Sequence, residues 1–124
     1  MLGHIGIRVK DFAVSKAFYE KALAPLGYKP LYGQDDMYYG FGVEQPDFWI
    51  SIAQEGKPVS TSVHVAFNSP DHATVQAFYD AAIAAGGKDN GAPGPRAEYS
   101  PTYYGGFVLD PDGNNIEAVC HAGK

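Results

Sequence analysis

The chain has 124 residues, enough for one domain with a proper core and too few for two independent ones. It is 45% hydrophobic and 19% charged, a soluble globular composition, and its net charge of −5 lacks any cationic stripe, which argues against nucleic acid or a membrane surface as partner. The lone Cys120 leaves no internal disulfide and fits a cytoplasmic location. No apolar run approaches membrane-spanning length, and no signal-like pattern opens the sequence.

From His4 to Val9 the residues Ile5, Ile7 and Val9 alternate with His4, Gly6 and Arg8, which predicts a strand. Asp11 is placed to cap a helix over 12–23, where Val14, Ala17, Phe18 and Ala22 share an apolar face before Pro25 and Gly27 end it. Three short strands are expected over 28–32, 36–43 and 48–53, with turns over 33–35 and 44–47. Residues 55–61 read as a hinge.

The order then repeats. His64-Val-Ala-Phe echoes His4-Ile-Gly-Ile, and Ala77-Phe-Tyr echoes Ala17-Phe-Tyr. Tyr103-Tyr-Gly likewise echoes Tyr38-Tyr-Gly. A strand over 62–68 leads to Ser69-Pro70, read as N-cap and first residue of a helix that runs to about Ala85. Residues 89–101, rich in Gly and Pro, read as a long loop replacing part of a strand. Strands over 103–109 and 115–120 flank Asp110-Pro-Asp-Gly-Asn, a strong turn signal. The expectation is an α+β fold of two βαβββ modules, about 1–54 and 62–121, packed on each other because neither buries its apolar face alone.

On the last strand Ile116, Ala118 and Cys120 alternate against Glu117, Val119 and His121. A carboxylate amid a short apolar strand is expensive to bury unless paired or bound to a cation. His4 and His64 occupy matching places in the repeat, so pseudo-symmetry would bring them together. Two imidazoles and one carboxylate suit a divalent first-row metal and leave coordination positions open. The alternative is that the histidines only end their strands and that Glu117 pairs with Arg8 or Arg96. His72, in the first turn of the second helix, is expected to face solvent. His121 lies about 13 Å along the strand from Glu117, too far to share its ion. Tyr99, Tyr104 and Arg96 border the long loop and are candidate substrate contacts. Trp49 and Ser51 on the first module's last strand are further candidates.

The layout resembles the vicinal oxygen chelate superfamily, which includes glyoxalases, bleomycin-resistance proteins and extradiol dioxygenases. The likeness spans nearly the whole chain: His4-Ile-Gly-Ile, Asp11, Phe18-Tyr19, His64-Val-Ala-Phe and Phe107-Val-Leu-Asp-Pro-Asp-Gly-Asn-Asn-Ile-Glu117. It implies a cup-shaped, mostly antiparallel sheet with helices outside, and His4, His64 and Glu117 as ligands of one divalent ion (Fe, Mn, Zn, Ni or Co). Glyoxalase I usually adds a glutamate on the first module's last strand. Here that place is assigned to Ser51, a poor ligand.

The resemblance implies a lyase or isomerase in which the ion chelates vicinal oxygens of a small-molecule substrate and stabilises an enediolate-like intermediate, with Glu117 moving a proton. Its alternatives are an Fe(II)-dependent dioxygenase and a non-catalytic drug- or metabolite-binding resistance protein. A homodimer is also implied, with the site within one chain or across two.

Overall fold

The computed structural model describes residues 1–124. Strand β1 (Ile5–Val9) leads into helix α1 (Phe12–Leu23), capped by the Asp11 carboxylate, which accepts from Val14 N. A 3₁₀ turn over Ala24–Leu26 follows, ended by Gly27 in the left-handed region at φ 84°. Then come β2 (Lys29–Gln34), β3 (Tyr38–Gly42) and β4 (Pro46–Ile52). The second unit contains β5 (His64–Asn68), α2 (His72–Ala84), β6 (Lys88–Pro95), β7 (Tyr104–Leu109) and β8 (Asn115–Cys120).

The eight strands form two four-stranded sheets, ordered β1-β4-β3-β2 and β5-β8-β7-β6. In each, the first strand runs parallel to the last and the other pairings are antiparallel. This is the α+β arrangement of two βαβββ modules that the repeat predicts.

One face of each sheet is covered by its helix, and the two helices also touch. A single apolar core therefore runs through both units, joining Ile7, Val9, Phe18 and Phe48 of the first to Phe67, Phe78, Val108 and Ile116 of the second. Phe67 packs edge-on against both Tyr28 and Phe48, tying β5 to the first sheet.

Two local expectations are corrected. The second helix begins at His72, with Asp71 as its cap and Ser69-Pro70 outside it, because the Asp71 carboxylate accepts from Thr74 N at 2.7 Å. The Gly/Pro-rich stretch after α2 is not all loop. Residues Lys88–Pro95 form β6 on the sheet edge, and register shifts around Gly91 absorb its irregularity.

Candidate functional site

The alternation of β1 and β5 sends Ile7, Val9 and Phe67 into the core and leaves His4, Gly6, Arg8, His64 and Ala66 exposed. Each sheet thus keeps one open face. On the second sheet that face carries Glu117 and His64.

Glu117 lies there in register with Ala66 on one side and Phe107 on the other, and its side chain is 1% exposed. Its Oε1 is 2.9 Å from His64 Nε2, while its Oε2 accepts from the Tyr103 hydroxyl. Both carboxylate oxygens therefore have partners, which is what lets the group be buried. The His64 side chain is 52% exposed and offers its ring to anything approaching the face.

Gly105 makes the arrangement sterically possible. A Cβ there would stand 2.9 Å from Glu117 Oε2 and 3.1 Å from the Tyr103 ring. Burial, aided by the adjacent Glu117 carboxylate, holds the Tyr103 phenol well above its ordinary value, so it stays a donor. Tyr99 and His121 pack edge-on against the Tyr103 ring, with centroids 5.1 and 5.2 Å away. The Phe107 ring lies 6.3 Å from that of His64, and the Arg96 guanidinium sits over Phe107 at 5.3 Å.

His4 borders the same cleft as His64, a space of about 410 Å³ between the start of β1 and the free edge of β5 that also holds Tyr28, Asp47 and Asn68. It does not join the His64–Glu117 pair. No three His, Cys, Asp or Glu side chains within the chain stand close enough to share an ion. The His64–Glu117 pair by itself offers two donors of kinds that a divalent ion takes, one imidazole nitrogen beside one carboxylate oxygen. The pairing of Glu117 with Arg8 or Arg96 does not occur.

The remaining candidates separate. Tyr99 and Arg96 stand beside the Glu117 cluster. Tyr104 does not: the pleat turns its ring onto His72, stacked at 3.8 Å and 7°. His72 is accordingly half-buried against β7 rather than facing solvent. Trp49 and Ser51 lie on the first sheet. Its register pairs Gly6 with Trp49 and Arg8 with Ser51, whereas the second sheet pairs Ala66 with Glu117. Under the repeat, Trp49 and not Ser51 takes the place of Glu117, because Gly6 matches Ala66 and Gly6 pairs with Trp49. Trp49 instead joins Tyr32 and Tyr38 in an aromatic cluster, its ring against Gly40.

Sequence reasoning counts Tyr103 among the possible substrate-facing phenols but prefers its neighbour Tyr104, and the structure puts Tyr103 at the site instead. The available signal was parity, since Tyr103 and Gly105 alternate with Tyr104 and Gly106 on β7 and its approach.

A family model described as the Glyoxalase/Bleomycin resistance protein/Dioxygenase superfamily matches residues 1–118. The chain belongs to that superfamily. Among solved structures, it is similar to a glyoxalase/bleomycin resistance protein from Albidiferax ferrireducens T118, with 30% identity and a TM-score of 0.86 over 97% of this chain and 98% of that one. A glyoxalase-related enzyme from Fulvimarina pelagi shares the fold at 19% identity and TM-score 0.75, covering 97% of this chain and 87% of that one. So does a lactoylglutathione lyase from Agrobacterium tumefaciens, at 15% identity and TM-score 0.70, over 97% and 92%. No curated protein sequence matches the chain. Members of this superfamily usually bind a metal and generally bind small molecules. No helix here is long and apolar enough to cross a membrane.

Proposed function

We propose that this protein is a divalent-metal-dependent enzyme of the lyase or isomerase type, acting on a small substrate with two adjacent oxygens. The observation that carries the reading is the His64–Glu117 pair, 2.9 Å apart on an open sheet face inside a superfamily that usually holds a metal. When bound, the ion would polarise the substrate oxygens as a Lewis acid.

The chain's own groups do the rest. Glu117 accepts a proton from the carbon next to a substrate carbonyl and returns it to the neighbouring carbon. Tyr103, donating to Oε2, holds the carboxylate in the orientation this requires. Phe107, its ring 6.3 Å from that of His64, shields one side from water.

The third donor is His4 of a second copy in a homodimer. Two features support this: His4 stands outside the His64–Glu117 pair of its own chain, and the open face of the first sheet carries an aromatic cluster of Tyr32, Tyr38 and Trp49 of the kind that interfaces use. The protein as purified should hold about one divalent ion per chain. H4A, H64A and E117Q should each lose it. A mixed dimer of H4A and E117Q chains should recover one intact site of two, since the site built on the H4A chain's His64 and Glu117 keeps all three donors. Undiminished metal binding in H64A and E117Q would overturn the metal centre, and failure of the mixture to recover a site would overturn its two-chain form.

A second reading, a non-catalytic binder of a small metabolite or drug, is favoured by one fact: protein donors already satisfy both oxygens of Glu117. Metal analysis decides between the two, because a binder of that kind has no use for the ion.

A further inference from the structure

Arg96 follows β6 and folds back over it. Its Nη2 donates to the Ala92 carbonyl at 2.8 Å and its Nη1 to the Pro95 carbonyl at 3.2 Å. Two glycines make the space. A Cβ at Gly91 would stand 3.3 Å from Nη2, and one at Gly94 would stand 3.2 Å from Nη1. Both flank the register shifts of the β6–β7 pairing, so the irregularity of β6 and the seat of the guanidinium are the same feature.

This fixed cation has no anionic partner in its own chain. The ion pairs are Lys16 with Glu20, Lys16 with Asp35, and His64 with Glu117. The two carbonyls take one N–H each from Nη1 and Nη2, which leaves Nε–H and two further donors for something outside the chain.

Its position relative to the proposed centre follows from register. Gly91 pairs with Phe107 and Phe107 pairs with Glu117. Strand spacing separates β6 from β8 by roughly 10 Å. The Phe107 ring is therefore a floor, with the Arg96 guanidinium over one side and the His64 ring and the Glu117 carboxylate on the other. In the metal-free chain a ligand carboxylate near Glu117 would meet a like charge, and near Arg96 an opposite one, which favours one direction of an anionic ligand across the floor.

The geometry points to Arg96 and Phe107 as a carboxylate-anchoring subsite, so that the substrate is a small organic monocarboxylate with a flat unsaturated or aromatic segment. The assignment of this ligand as substrate rests on the reading of His64 and Glu117 as the reacting centre. Anchoring at Arg96 can be measured without it.

Phenylacetate and its neutral amide, phenylacetamide, are suitable probes, titrated into chelator-treated protein by calorimetry and by amide chemical shifts. Phenylacetate should bind about tenfold more tightly than the amide, a contrast of one charge-assisted contact, and should move the Gly91, Gly94 and Gly105 amides. R96Q should abolish the difference by weakening phenylacetate the more, and phenylacetamide should still bind R96Q, which shows the floor intact. R8Q, at the other arginine, should change neither. Equal binding of the two probes, no binding of phenylacetate, or a preference that survives R96Q would each overturn the anchor. The metal content of untreated protein tests the reacting centre separately: an Arg96-dependent preference in a chain that holds no ion would leave the anchor standing and remove the metal reading.

Discussion

The Tyr19 hydroxyl of α1 donates to the carboxylate of Asp110, 91 positions later in the turn between β7 and β8. Asp110 also accepts from the Asp112 and Asn114 amides, and the Asn114 side chain accepts from Val63 N and donates to Ser60 O. One turn of the second module is thereby clasped to the helix of the first and to the segment joining them. Tyr19 is wholly buried, and burial together with Asp110 raises its phenol well above the ordinary value, so it remains a donor.

Removing that hydroxyl should loosen the clasp without changing the fold. Y19F is expected to destabilise the protein by about 1–3 kcal/mol, the cost of depriving a buried acceptor of one donor. D110A should cost more, because it strands Tyr19 and two backbone amides at once. Urea unfolding checks both: the midpoint should fall with an unchanged slope. A midpoint equal to that of the native chain would show that the clasp contributes nothing.

Gly105 should tolerate no side chain. In G105A the added methyl meets Glu117 Oε2 at 2.9 Å, so either the carboxylate leaves its seat or the backbone shifts. The expected destabilisation is about 1–3 kcal/mol, typical of overpacking. Divalent-metal binding should weaken along with it. G106A, whose nearest neighbours lie at 3.2 and 3.3 Å on the helix side, should leave metal binding intact, which separates a site effect from a general one.

The adjacent tyrosines should differ in kind. Y103F removes the hydroxyl that Glu117 Oε2 accepts and should lower turnover, or metal affinity where no turnover can be assayed. Y104F keeps the ring stacked on His72 and should leave both unchanged. Equal effects would mean that the pleat does not separate the two residues in function.

Stability should hold steady through neutral pH and fall in alkali. Burial, with a hydrogen bond to Asp47, raises the Tyr28 phenol to about 12 from an unfolded value of 10.0. The unfolded chain therefore loses this proton first. The corresponding stability is fully present below pH 10.0 and is lost as pH climbs toward 12. Tyr19 and Tyr103 are raised in the same direction and steepen the fall. Chemical denaturation at stepped pH should show this slope, and Y28F should make it shallower. A stability profile that stays flat beyond pH 10 would contradict it.

Much of the architecture was legible because the chain encodes it locally and twice. Period-two alternation around His4 and His64, the Asp11 cap with Gly27 beyond it, and the Asp110–Asn114 turn each act within a few residues, and each reappears in the structure. The second helix start was misplaced because Ser69-Pro70 and Asp71 are both good starting signals, and the hydrogen bond to Thr74 N decides between them. Strand β6 was hidden because Gly and Pro usually mark loops, whereas an edge strand with bulges accommodates them.

Alternation on the last strand already requires a partner for Glu117, since a carboxylate in an apolar strand is costly to bury alone, and the repeat already requires two modules to share a core. Which partners those are depends on contacts between strands far apart in the chain. His64 and Tyr103 reach Glu117 because β5 and β8 are adjacent strands and the chain entering β7 turns Tyr103 to the same face. His4 does not, because β1 and β5 belong to separate sheets. Periodicity states which way a side chain points, but proximity depends on which edges pair, and that is settled by packing between residues far apart in the chain.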